Sequence, residues 1–371
     1  MRRGRIRFVM FGIIVLMLVF LDRESIMAAS LDEYDLESLD GYVEEEYFDI
    51  DFSMLVKEIY STDFSSTDGI WGQIINFFLF EIRGCIKLVL AAMGLIIGGA
   101  VFKNLTGVLN DSTVMKAGTF ITYIAVMTVL LVAFEQGFKI AGESAAKAMD
   151  FLYALIPTFF CAVSFAQGSL TGSVMYQWTG VCISMVQVVV MQFLLPLTNY
   201  YVVMCIINNA TEDKRFSSLC GLMKKIIHYV NRTLLGIIVG MTTIKSLTVP
   251  LTDSLKNTFL KKTVAIIPGI GNGVEAVAET ISGTGNLIKN TLGTAGVIVV
   301  FLIVVIPFVK LLAVNLILRF LSAVTEPVAA KNVIGGINAI SDGIGILQYI
   351  ISTSCLVMIV TIGIICIMTG V

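Results

Sequence analysis

Apolar runs alternate with short polar joints along most of this chain. Stretches near 85–102, 119–134, 151–166, 174–195, 234–249, 297–318 and 344–368 are long enough, and poor enough in charge, to read as membrane-spanning helices. Residues 174–208 carry no formal charge over 35 positions, too many for one ordinary crossing. Pro196 removes a backbone donor inside that run, so it divides into 174–195 and a shorter 197–208. The expectation is an all-α polytopic membrane protein of about seven to eight transmembrane helices. A domain of residues 84–371 holds these spans.

Some polar features ride on the apolar pattern. Gly94 and Gly98, and later Gly236 and Gly240, form GxxxG patterns that let another helix approach closely. Glu135, Lys139, Glu143 and Lys147 follow the 119–134 run four residues apart, the spacing of helical ion pairs. They predict a helix that leaves the bilayer still wound. Pro157 lies within 151–166, and Pro307 and Lys310 lie within 297–318. A lysine at mid-span costs about 2.5–3.5 kcal/mol on the insertion scale, and the many Val, Ile, Leu and Phe around Lys310 outweigh it. Lys310 is therefore expected to face protein or water. Residues 320–343 read as a loop with a surface helix.

The largest interruption is the Gly-rich stretch 263–296. Pro268 and Gly269 stop whatever precedes them. Residues 273–282 have helical spacing, with Glu275 and Glu279 together on one face. Gly283 and Gly285 are expected to break that helix. A second short helix from Leu287 carries Lys289 and ends at Gly293, with Gly296 just beyond. Two readings stand: a pair of amphipathic helices outside the membrane or on its surface, or a re-entrant hairpin lining a polar cavity. The candidate conduit or docking residues are Pro268, Gly269, Glu275, Glu279, Gly283, Gly285, Lys289, Gly293, Gly296 and Lys310.

Composition sharpens the picture. The 371 residues are 57% hydrophobic and 14% charged, with mean hydropathy +0.90, outside the range of a soluble domain. Residues 1–30 read as an export signal: Arg2, Arg3, Arg5 and Arg7, then an apolar run from Phe8 to Leu21, then small residues near Ala29. Whether cleaved near Ala29 or kept as an anchor, such a signal exports the segment beyond it. That exported part, 31–83, is acidic and then amphipathic; thirteen of the chain's 27 acids lie in 31–70 against one base, Lys57. Trp71 suits a membrane interface. Residues 211–232, with Lys214, Arg215, Lys224, Lys225 and Arg232, form the most basic joint, which the positive-inside rule places in the cytoplasm. Counting five spans from an exported start agrees. His228, the single histidine, reads as a surface residue.

Catalytic signatures are missing from the sequence. There is no phosphate loop, no H-E-x-x-H and no G-x-S-x-G, and one histidine cannot build a histidine-based metal site. The seven cysteines are scattered without a C-x-x-C pair and read as small buried hydrophobes. A non-enzymatic protein without cofactor or metal, and with no nucleic-acid partner, is the expectation. The main alternative is a self-contained secondary transporter for a small solute.

The segment Lys289, Asn290, Thr291, Leu292, Gly293, Thr294, Ala295, Gly296 leading into an apolar span resembles the stage III sporulation protein AE family. Ile267, Pro268 and Gly269 and the Pro307 span are similar as well, and the order of parts matches along nearly the whole chain. The resemblance implies a role in endospore formation, in the mother-cell membrane around the forespore. It implies a multispan subunit of a channel-like or secretion-like complex, serving late forespore gene expression and integrity. The implied partners are the other stage III A-operon proteins, among them an ATPase and ring-forming components, with stage II sporulation protein Q contacted indirectly, and membrane lipid.

Overall fold

The computed structural model describes residues 67–108, 112–167, 169–211, 214–237, 240 and 271–368, all helical apart from short joints. The signal, the acidic segment up to residue 66, residues 241–249 of the expected sixth span, and Pro268 and Gly269 lie outside the described residues. Helix α1 is Thr67–Val108, α2 is Ser112–Gln167 and α3 is Ser169–Gln187. A π-helical stretch, Val188–Leu194, leads directly into α4, Leu195–Ala210. Residues 217–237 form α5, Gly271–Thr325 form α6 and Lys331–Met368 form α7. Five segments among the described residues are long and apolar enough to cross a membrane: Ile86–Leu105, Thr113–Thr158, Gln177–Ala210, Thr291–Thr325 and Lys331–Gly363. The described residues thus form an all-helical fold with five helices fit to span a membrane.

Helix α7 is the axis of the bundle. Its apolar window is 78% buried, against 17% for that of α1, so α7 is wrapped by protein while α1 lies at the edge. Glycines decide how closely its neighbours approach. A side chain at Gly343 would strike Val202 of α4 and Phe134 of α2, and one at Gly335 would strike Asn209 of α4. One at Gly336 would meet Met127 and Tyr123 of α2. Close contact through small residues is how helices associate where apolar surface gives no preference over lipid. The buried leucines and isoleucines of α7, Ile337, Ile340, Ile344, Leu347 and Ile350, then fill the space between these approaches.

The same contacts set direction. As α7 advances from Gly335 to Gly343, α4 recedes from Asn209 to Val202, so these two are antiparallel; α2 advances from Tyr123 to Phe134, so it is parallel to α7. Leu311 of α6 faces Gly137 of α2, Ile303 faces Ser144, and Gly296 faces Leu155, which makes α6 antiparallel to α2. Gly99 of α1 meets Thr122 and Phe102 meets Gly118, so α1 is antiparallel to α2. The joint at Val328–Ala330 rests beside Gly99, Lys103 and Thr122. One end of the bundle therefore gathers the α1–α2, α4–α5 and α6–α7 joints, bringing Lys103, Lys116, Lys214, Arg215, Arg319 and Lys331 to the same end.

Several expectations need correction. The break at Gly283 and Gly285 does not occur: both lie inside α6, which runs for 55 residues, about 80 Å at 1.5 Å per residue. A helical reversal at those glycines, and with it the re-entrant hairpin, has no turn to be built on. An interior glycine costs only about 1 kcal/mol relative to alanine, which a long packed helix absorbs. Pro196 does not divide 174–208 either. The π-helical stretch just before it widens the helix, which is one way a rod passes a residue that cannot donate its N–H. Residues 119–134 and 151–166 belong to one helix, α2, through Pro157. Five candidate spans lie among the described residues, and most of the expected sixth span, 234–249, falls outside them. Residues 320–343 are no loop with a surface helix: α6 continues to Thr325, a tight turn comes next, and α7 begins at Lys331. Finally, Gly94 and Gly98 meet no neighbour within 4 Å; the close approach of α1 is made by Gly99.

Candidate functional site: a polar cluster within the apolar bundle

A run of polar residues on α7 falls on one face. Asn338, Ser341, Asp342, Gly345 and Gln348 follow helical spacing and turn toward α6, which answers with Asn315, Arg319 and Ser322. Asn315, 5% exposed, is the hub. Its Nδ2 donates to Gln348 Oε1 at 3.1 Å, and its Oδ1 accepts from Ser341 Oγ at 3.0 Å and from Arg319 Nε at 2.8 Å. Gly345 leaves room for it: a Cβ there would lie 3.0 Å from Asn315 Nδ2. Ser322 Oγ donates to Asn338 Oδ1 at 2.9 Å one turn nearer the joint.

Charge enters through α5. Lys224 Nζ donates to Asp342 Oδ2, and Arg319 Nη2 stands 3.8 Å from Asp342 Oδ1. One carboxylate thus ties α5, α6 and α7 together. The three side chains are 40–51% exposed, so the pairing is worth little in isolation and acts as a positional clamp. Two turns further along, Asn231 Nδ2 donates to Thr353 Oγ1 at 2.9 Å and to Tyr349 O at 3.3 Å, so α5 and α7 run parallel. Asn231 is fully buried, and its Oδ1 has no hydrogen-bond partner. His228 is not a free surface residue: its ring stacks on Tyr349 with centroids 5.2 Å apart, and its Nδ1 lies 3.0 Å from Lys224 O. The turn between α4 and α5 is held by Asn208, whose Oδ1 accepts the Phe216 N–H at 2.9 Å, with Lys214 in the left-handed region at φ 44°. Cys182, Cys205, Cys220 and Cys355 are buried free thiols, while Cys161 is exposed.

The residues singled out from sequence lie elsewhere. Glu275, Glu279, Gly283, Gly285 and Lys289 fall in the first half of α6. Gly293 is buried, and Gly296 is a packing position, since a Cβ there would stand 2.8 Å from Leu155 Cδ2. Lys310 is half-buried on α6. Asp342, Asn315, Gln348 and Asn231 were missed. The available signal was the helical spacing of Asn338, Ser341, Asp342 and Gln348, hidden by reading 320–343 as a loop.

A family model described as stage III sporulation protein AE matches residues 50–369, nearly the whole helical bundle. The chain belongs to the stage III sporulation protein AE family. A curated member, stage III sporulation protein AE of Bacillus subtilis (strain 168), is 22% identical over 276 residues, covering 74% of this chain and 69% of that protein. No solved structure matches. Membership of the stage III sporulation protein AE family assigns the chain a role in sporulation, and its long apolar helices make it a membrane member of that process.

Proposed function

We propose that this chain is a non-enzymatic, multi-pass subunit of a channel-like or secretion-like complex linking mother cell and forespore. It sits in the mother-cell membrane around the forespore and works with the other stage III A-operon proteins, including the ATPase and ring-forming components, and indirectly with stage II sporulation protein Q. The observation that carries this reading, beyond the family, is a polar, hydrogen-bonded cluster held inside an otherwise apolar bundle. Groups such as Asn315, Gln348 and Asp342 are costly in a membrane and mark pathways or switching elements more often than scaffolding. The gathering of basic residues at the end formed by the α4–α5 and α6–α7 joints supports placing that end, with 211–232, in the cytoplasm. The start of α1, and with it the acidic segment, then falls on the exported side. Affinity capture of the tagged full chain from sporulating cells tests the proposal. Recovery of the ATPase and ring-forming siblings is the expected result. Solute uptake by the purified chain alone in liposomes, with no sibling captured, would favour a self-contained transporter instead.

A further inference from the structure

The cysteines are scattered in the sequence, but the fold brings two of them together. Cys205 lies in the last turns of α4 and Cys220 in the first turn of α5. Helix α4 buries Tyr201, Val202, Cys205 and Asn208 along one stripe, and α5 buries Cys220, Ile227 and Asn231 along another. The short joint between the helices sets the two cysteines face to face. Asn208 Oδ1 accepts the Phe216 N–H at 2.9 Å, and the Cys220 N–H donates to Phe216 O at 3.0 Å. On the α4 side, Asn209 Nδ2 donates to Cys205 O at 2.8 Å. The Cys205 thiol meets two groups there: the Tyr201 hydroxyl, one turn back, donates to it, and the Cys220 thiol hydrogen-bonds with it from across the joint. Both cysteines are free, and each is 7% exposed.

Two thiols in contact have one reaction that an isolated thiol lacks. The thiolate of one attacks a sulfur of a low-molecular-weight disulfide, forms a mixed disulfide and expels one small thiolate. The other protein thiol gives its proton to water, attacks the protein sulfur of the mixed disulfide and expels the second small thiolate. Two electrons pass to the oxidant: two protein thiols and one small disulfide become one protein disulfide and two small thiols. Covered thiols are inert, so the first step waits for the joint to open. The second step does not wait, because groups held side by side react at effective concentrations far above those of any solute.

We infer that Cys205 and Cys220 are a reversible disulfide site, closed by a small disulfide oxidant, that fixes the α4–α5 joint. In the cytoplasm, where the reading above places this joint, the pair rests as a dithiol; only that resting state depends on the placement. Cys220 lies one turn before Lys224 on the same side of α5, and Lys224 donates to Asp342 of α7. Closing the pair therefore pins the first turn of α5 to α4, beside the clamp that ties α5 to α6 and α7.

The test uses the full chain in membranes of sporulating cells, with oxidised glutathione as the probe and non-reducing digestion and mass spectrometry as the readout. Exposed Cys161 reports that the oxidant has acted, and incubation continues until the products no longer change. Both cysteines are expected to be free beforehand. Afterwards a linked 205–220 peptide should be at least about tenfold more abundant than glutathione adducts at either position, and dithiothreitol should restore both thiols. Modified Cys161 beside a 205–220 pair that stays free, or carries glutathione separately, overturns the inference and leaves the membrane-complex reading standing. A 205–220 bond already present before the oxidant overturns the resting dithiol and the cytoplasmic placement together. Amide exchange over 217–224 should slow at least about fivefold on oxidation of the parent chain and stay unchanged in Cys220→Ser, which keeps a hydrogen-bonding group at that position. Equal exchange in the reduced and oxidised parent would overturn the effect on α5.

Discussion

Truncating Asn315 to alanine removes the hub of the α6–α7 interface, and the structure tells how much should be lost. Three partners are affected. Arg319 has a side chain about half exposed and can turn to water. Ser341 can donate instead to a carbonyl of its own helix, as Ser352, Thr353 and Ser354 do at 2.8–2.9 Å. Gln348, only 9% exposed, has neither escape. The loss is thus closer to one hydrogen bond than three. Side-chain hydrogen bonds inside membrane bundles average about 0.6 kcal/mol and reach about 1.7. The small void left by the amide adds to this, so Asn315→Ala should cost about 1–3 kcal/mol. The assay is the unfolding free energy of the full chain in bicelles, measured in a double-mutant cycle with Gln348→Ala. Their coupling should be about 0.6–1.7 kcal/mol. A coupling indistinguishable from zero would show that the Asn315–Gln348 bond contributes nothing, and the hub assignment would be wrong.

The same geometry sets other outcomes. Asp342→Asn should cost less than about 1 kcal/mol in the same unfolding assay, since its partners are partly solvated; a loss above about 3 kcal/mol would mean a dry, obligatory ion pair. Gly343→Ala should destabilise by about 1–3 kcal/mol because its methyl strikes Val202 and Phe134, whereas Gly94→Ala, which meets open space, should stay within about 0.5 kcal/mol of the parent. Comparable losses at the two glycines would contradict the placement of α7 at the axis. Lys214→Gly should raise the unfolding free energy by up to about 1 kcal/mol by relieving a left-handed non-glycine residue, and a decrease would mean that the turn at 214 is shaped otherwise.

The apolar runs made the helical membrane class legible, and the 297–318 run does lie in one continuous helix through Pro307 and Lys310. Continuity was not legible. Gly283, Gly285, Pro196 and Pro157 each carry a local penalty that reads as punctuation, yet a helix packed along tens of ångströms absorbs it. The polar cluster was hidden for another reason. Lys224 and Asp342 stand 118 residues apart, and their meeting depends on α5 and α7 running parallel, which no local spacing announces. The ladder on α2 was read from sequence, but which stretch of α6 it lies beside was not, because that is set by which glycine of α2 faces which leucine of α6.

The central position of α7 has a consequence for biosynthesis. The helix against which α2, α4, α5 and α6 all lean is the last of them to emerge from the ribosome. Until Lys331–Met368 arrives, the earlier helices hold an empty slot lined by Tyr123, Met127 and Phe134 of α2 and by Val202 and Asn209 of α4. Assembly of the nascent bundle should then close in one late step, and a chain halted shortly before that point should be a ready substrate for membrane proteases.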